Sequence, residues 1–130
     1  MGVDTKKAYI SVDPPDKIVL YGDPGAEIRT TIRITNKNEM KTAFKVKCTR
    51  NDIFKIKPPT GILSYGKDAT IQIIYKGSPT VKAENEKQHH IGIYHIPAPE
   101  GCTVEGAWNE HFGPPVGEYR LKVVFEETNI

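Results

Sequence analysis

The sequence predicts an all-β domain, a sandwich or a barrel. Three observations carry this. Ten prolines and eleven glycines punctuate the whole chain, at 14–15, 22–25, 58–61, 77–79, 97–101 and 113–117. The segments between these breaks are short and rich in β-branched and aromatic residues. Within them apolar and polar residues alternate with a period of two, the repeat of a strand and not of a helix.

Tyr9–Val12 and Ile18–Tyr21 are the first strands. They flank Asp13-Pro14-Pro15-Asp16, a turn whose prolines cannot donate to a ladder. In Ile28-Arg29-Thr30-Thr31-Ile32-Arg33-Ile34 the isoleucines share one face and the arginines the other. In Thr42–Thr49, Phe44, Val46 and Cys48 point one way and Lys45, Lys47 and Thr49 the other. Ile53–Ile56 is a short strand ahead of Pro58-Pro59. Ile71, Ile73 and Tyr75 form a further inward set, and His90–Tyr94 continues as another strand. In the last segment Tyr119, Leu121, Val123 and Phe125 oppose Arg120, Lys122 and Val124. This amounts to seven or eight strands with antiparallel pairing. The one helix expected is a short turn from Glu105 to His111, and residues 76–88 read as a long polar connection. No repeat and no interdomain linker stands out, and 130 residues suit a single domain.

Composition narrows the function. Eighteen Lys and Arg against sixteen Asp and Glu leave a net charge of +2, no global reason to expect nucleic acid or a membrane surface as partner. Apolar runs such as Val123–Phe125 are too short to span a bilayer. Met1–Tyr9 carries Asp4, Lys6 and Lys7 and does not read as a secretory signal. Two cysteines, Cys48 and Cys102, exclude a disulfide framework and a four-cysteine zinc site. Trp108 follows both rather than lying between them, unlike an immunoglobulin cysteine pair, so free thiols in a reducing compartment are expected.

Motifs for chemistry are incomplete. Gly61–Asp68 spells most of a phosphate-binding loop, but Asp68 stands where Ser or Thr would hold Mg²⁺. Ala69–Tyr75 then alternates like a strand, where that motif needs a helix. His89 and His90 are adjacent and point to opposite strand faces; His90 and His95 also face apart. With His111 they make no metal site, and a solvated or core-edge role is expected. Ser11, Ser64 and Ser78 lack a nucleophile elbow, and Cys102, in a Gly-flanked loop, has no evident base. No enzyme activity and no cofactor are expected.

The basic residues are more informative. Lys45 and Lys47 project from one strand with Thr49 continuing the row; Arg29 and Arg33 pair on a second strand, Arg120 and Lys122 on a third. If the strands of Lys45/Lys47 and Arg120/Lys122 are neighbours, their charges meet in one patch. An acidic or phosphorylated peptide could dock there through charge-assisted bonds. An ordinary solvated sheet face is the alternative.

Several ordered motifs resemble the major sperm protein (MSP) domain family: Ile10-Ser11-Val12-Asp13-Pro14-Pro15, Asn36, Phe44–Thr49, Ile56–Leu63, Glu105–Glu110 and Arg120–Glu126. The resemblance implies a seven-stranded immunoglobulin-like, PapD-like β-sandwich over residues 9–127, with tails at 1–8 and 128–130 and a cis proline at Pro14 or Pro15. It also implies a cytosolic, non-catalytic interaction module.

Two branches of the family set the functional expectation. One forms or regulates the filaments of nematode sperm. The other, the VAP proteins, holds FFAT-type peptides at membrane contact sites. The peptide site of that second branch carries over to Lys45, Lys47, Thr49 and Arg120, and its Lys-Phe-Met segment falls on His90-Ile91-Gly92. Here the chain departs from the pattern. An imidazole stands where the family has a lysine, and Gly92 has no side chain to cover the peptide's aromatic residue. Gly92→Met is therefore expected to strengthen such binding. The loop Tyr94–Cys102 looks more like the stand-alone nematode proteins than like VAP. The first expectation is thus a component or regulator of the sperm cytoskeleton, and the alternative a VAP-like receptor. The expected partners are other proteins, a second copy in a dimer or filament, or acidic and phosphorylated peptides. Nucleic acid and direct membrane insertion are not expected.

Overall fold

A computed structural model describes residues 10–23, 25–77, 89–111 and 113–126. The expected tails, at 1–8 and 128–130, and most of the polar connection at 76–88 lie outside the described residues. The chain forms β1 (Ile10–Asp13), β2 (Lys17–Tyr21), β3 (Ile28–Asn36), β4 (Thr42–Cys48), β5 (Phe54–Lys57), β6 (Thr60–Leu63), β7 (Asp68–Tyr75), β8 (His89–Pro97), α1 (Val104–Glu110) and β9 (Gly117–Glu126). Two sheets pack face to face, one in the order β1-β3-β7-β5 and the other β2-β9-β8-β4-β6. The all-β sandwich is as the sequence predicts. The described residues hold nine strands, however, and not seven.

The count rises above seven where the chain switches sheets, and of the strands there only β6 is missing from the eight segments the sequence shows. β1 pairs with β3 in the first sheet, and β2 with β9 in the second. Between them lie Pro14 and Pro15, with a cis bond at Asp13-Pro14. The Tyr119 hydroxyl donates to the Pro15 carbonyl at 2.7 Å and fixes this crossing. Ile10, Val12, Ile18 and Leu20 can then all face one core from opposite sheets. The same device recurs at Pro58-Pro59, which carries the chain from β5 to β6, with a cis bond at Lys57-Pro58. β6 occupies residues that the sequence presents as a glycine-containing turn. β2 also corrects the expectation of wholly antiparallel pairing: it runs parallel to β9, Lys17 beside Lys122.

The core is built from the inward sets of the long strands, with Ile32, Ile34, Ile71, Ile73, Ile91, Ile93 and Leu121 at 1% exposure or less. Its end near β5 is aromatic: Phe54, Tyr75, His89 and Phe125 pack tilted or edge to face, with ring centres 4.9 to 6.4 Å apart. A second, smaller cluster lies on the outside of the five-stranded sheet, where Ala107 of α1 packs on Ala43, Ile96 and Ala98. Thr103 caps that helix, its hydroxyl accepting from Gly106 N–H at 3.0 Å. The helix covers one end of the outer face and leaves the rest open.

Candidate functional site

The pleat of β4 buries Phe44 and Val46 and turns Lys45, Lys47 and Thr49 outward. On β9 the same alternation buries Leu121 and Val123 and exposes Glu118, Arg120 and Lys122. These strands are not neighbours; β8 lies between them. The register nevertheless aligns the charges. Lys47 lies opposite Gly92, and Gly92 opposite Arg120. One step along, Lys45 faces Tyr94 and Tyr94 faces Glu118, while His90 sits beside Lys122. Two strand spacings place the Lys47 and Arg120 backbones about 10 Å apart. The structure thus brings Lys45, Lys47, Thr49, His90 and Arg120 onto one face, together with Lys122. Arg29 and Arg33 belong to the opposite sheet, where Arg29 pairs with Glu27 at 2.8 Å.

Four of these side chains have a local restraint. Lys45 Nζ lies 4.6 Å from the centre of the Trp108 ring, and Lys47 Nζ 5.5 Å from that of Tyr94. The aromatic faces attract these ammonium groups without neutralising them. Arg120 donates to Glu118 at 2.7 Å. Glu118 in the first place, and the Tyr94 hydroxyl to a lesser degree, push the Arg120 pKa up, so it stays a cation. The Thr49 hydroxyl accepts from His90 N–H and meets His89 Nδ1, both at 3.3 Å. It ties the end of β4 to β8, over the aromatic end of the core.

Sequence reasoning missed two aromatic residues. Trp108 reaches the face from α1, which no strand pattern reveals. Tyr94 leans along β8 over Gly92. A Cβ placed on Gly92 would lie 3.1 Å from Tyr94 Cε2 and Oη. Gly92 alternates with the partly exposed His90 and Tyr94 on the outer face, yet it is buried. The only sequence signal is a glycine two residues before a tyrosine in one strand, which says that a ring could lie there and not that it does.

The other candidates fall elsewhere. Gly61 lies in β6 against the Phe44 ring, and Lys67 leads directly into β7, so the partial phosphate-loop motif has no helix after it. His89 is buried on the inner face and His90 half-buried on the outer, as the alternation requires. His95 is also buried, deeper than a solvated role would place it, and burial lowers its pKa. No group of three or more His, Cys, Asp or Glu among the described residues could hold a metal ion. Both cysteines are free. Burial pushes the Cys48 thiol up, which disfavours the reactive thiolate, and its sulfur lies 3.1 Å from Asn51 Oδ1. Among the described residues no helix is long and apolar enough to cross a membrane.

The MSP (Major sperm protein) domain matches residues 9–110. Vesicle-associated membrane protein-associated protein A from Homo sapiens is 28% identical over 120 residues, 91% of this chain and 47% of that protein. The chain therefore spans about half the length of the curated relatives it matches. Among solved structures, WR4, a Caenorhabditis elegans MSP family member, superposes with a TM-score of 0.73 at 23% identity, covering 92% of this chain and 99% of that one. The YadV chaperone superposes with a TM-score of 0.67 at 14% identity, covering 94% and 53%. At those identities the likeness is one of fold, the immunoglobulin-like sandwich.

Proposed function

Because the chain belongs to the MSP (major sperm protein) domain family, we propose that it is a non-catalytic, cytosolic interaction module. It docks acidic segments of other proteins, phosphorylated ones included, on the outer face of β4, β8 and β9. One observation carries the reading: the register that sets Lys47 and Arg120 on either side of Gly92, with Lys45 and Lys122 beyond them. These long side chains can bring their charges within about 5 Å of a carboxylate or phosphate docked over β8. At effective dielectric constants between those of water and of a protein surface, each such cation contributes about 1–3 kcal/mol before desolvation.

The sperm-cytoskeleton reading needs repeated contacts between copies of the chain. Strand edges support it less than the cationic face supports docking. Among the described residues the four edge strands are β1, β5 and β6, of four residues each, and β2, of five starting at Lys17; β5 exposes Lys55 and Lys57 before running into Pro58. Short edges bearing lysine and proline resist further pairing. Sedimentation at rising concentration tests this second reading, and a strict monomer at high micromolar concentration contradicts it.

The docking reading is tested by titrating labelled acidic peptides, with and without phosphate, at low and physiological salt. Micromolar binding is expected, weakened by salt and lost in the Lys45→Glu/Lys47→Glu double variant. Unchanged affinity in that variant contradicts the reading.

A further inference from the structure

The centre of the docking face is already filled, by a side chain of the same chain. A glycine on the outside of a sheet leaves a depression one side chain deep. At Gly92 that depression lies between the strands that carry Lys47 and Arg120. Tyr94 closes it. Its Cε2 and Oη would stand 3.1 Å, and its Cζ 3.3 Å, from a Cβ at residue 92, so the tip of the ring lies on the glycine. Gly92 is buried on a face where its neighbours in the alternation are partly exposed, as this cover requires. The ring is also held from one flank: Lys47 Nζ is 5.5 Å from its centre.

We propose that Tyr94 is the specificity-determining residue of this face. It occupies the depression over Gly92, so at that point the face selects acidic segments by charge and offers no room for a large apolar side chain of the ligand. This inference rests on the docking reading and names the ligand class more closely: acidic segments without an aromatic anchor. It also revises what the sequence suggests for Gly92→Met. A side chain at residue 92 meets the Tyr94 ring before it meets any ligand, so that substitution displaces Tyr94 first.

The test uses two labelled acidic peptides of equal charge that differ at one central position, Phe in one and Ala in the other. Fluorescence anisotropy measures both against the wild-type chain, Tyr94→Ala and Tyr94→Phe. The wild type is expected to bind the two peptides within about twofold of each other. Tyr94→Ala opens the depression, and an anchored aromatic ring is worth about tenfold or more in affinity, so this variant should prefer the Phe peptide by that factor. Tyr94→Phe keeps the ring and should behave as the wild type. A tenfold preference for the Phe peptide in the wild type overturns the proposal, as does a Tyr94→Ala ratio equal to the wild-type one. Should Tyr94→Ala fail to fold in a thermal melt, the wild-type ratio decides alone. If the wild type binds neither peptide, the docking reading falls, and this inference with it.

Discussion

Asn36 offers the sharpest test of how the fold holds the cationic face. It ends β3 and is fully buried, at 0% exposure. Its Nδ2 donates to the Met40 carbonyl at 2.9 Å and to the Leu63 carbonyl at 2.8 Å. Its Oδ1 accepts from Asn38 N–H at 2.8 Å and from the Thr42 hydroxyl at 3.2 Å. One amide thus fixes the connection from β3 to β4 and ties it to β6, which sets where the Lys45–Thr49 row begins. In Asn36→Ala, water can reach the part-buried Met40 and Asn38 groups, whereas the Leu63 carbonyl and the Thr42 hydroxyl stay buried. Four bonds at about 1 kcal/mol each, less what the Thr42 hydroxyl keeps by donating to the Met40 carbonyl at 3.5 Å, give about 3–4 kcal/mol. For a chain of this length that lowers Tm by roughly 10–15 °C. Urea unfolding should show a lower midpoint with an unchanged slope. Asn36→Asp sharpens the test. It keeps the volume but turns a carboxylate oxygen toward two carbonyls, so it should be at least as damaging as alanine. A loss under about 1 kcal/mol in either variant would refute the reasoning, by showing that water or a relaxed loop replaces the amide.

Thr103→Ala removes the cap of α1, which should cost about 1 kcal/mol and change the fluorescence of Trp108; unaltered stability contradicts the capping role. Gly61→Ala would set a Cβ 2.6 Å from the buried Phe44 ring, and the forced shift should destabilise by about 1–3 kcal/mol in urea unfolding, whereas a neutral effect would show that β6 yields instead. Burial holds the His95 pKa below its ordinary value near 6.5, so the unfolded chain binds more protons than the folded one as pH falls below that value. The His95 contribution to stability is therefore intact above the ordinary value and is lost as pH falls through the depressed one. Urea midpoints across that range should fall less steeply in His95→Gln, and equal slopes would contradict this account.

The long strands were legible because their alternation is local. Ile28–Ile34, Thr42–Thr49 and Tyr119–Phe125 announce both their faces, and Lys45, Lys47 and Thr49 are outward by period alone. β6 was not legible: Gly61, Ser64 and Gly66 read as turn chemistry, and only the pairing with β4 makes Thr60–Leu63 a strand. The parallel β2–β9 pair joins segments some hundred residues apart and leaves no local trace. For the site, the residue types were readable and their juxtaposition was not. Lys47 and Arg120 meet across β8, which depends on the strand order of the whole sheet. The posture of Tyr94 over Gly92 is a rotamer choice, made with the Lys47 ammonium 5.5 Å from the ring centre, which the strand pattern does not carry.

The claim that the outer face of β4, β8 and β9 is the docking surface is tested most directly by mapping amide chemical-shift changes while an acidic phosphopeptide is titrated into the labelled chain. The account predicts changes concentrated at residues 45–49, 90–94 and 118–122, saturating together and absent in the Lys45→Glu/Lys47→Glu variant. Changes centred instead on Arg29, Thr31 and Arg33 of the opposite sheet, or on the edges β1 and β5, would contradict it.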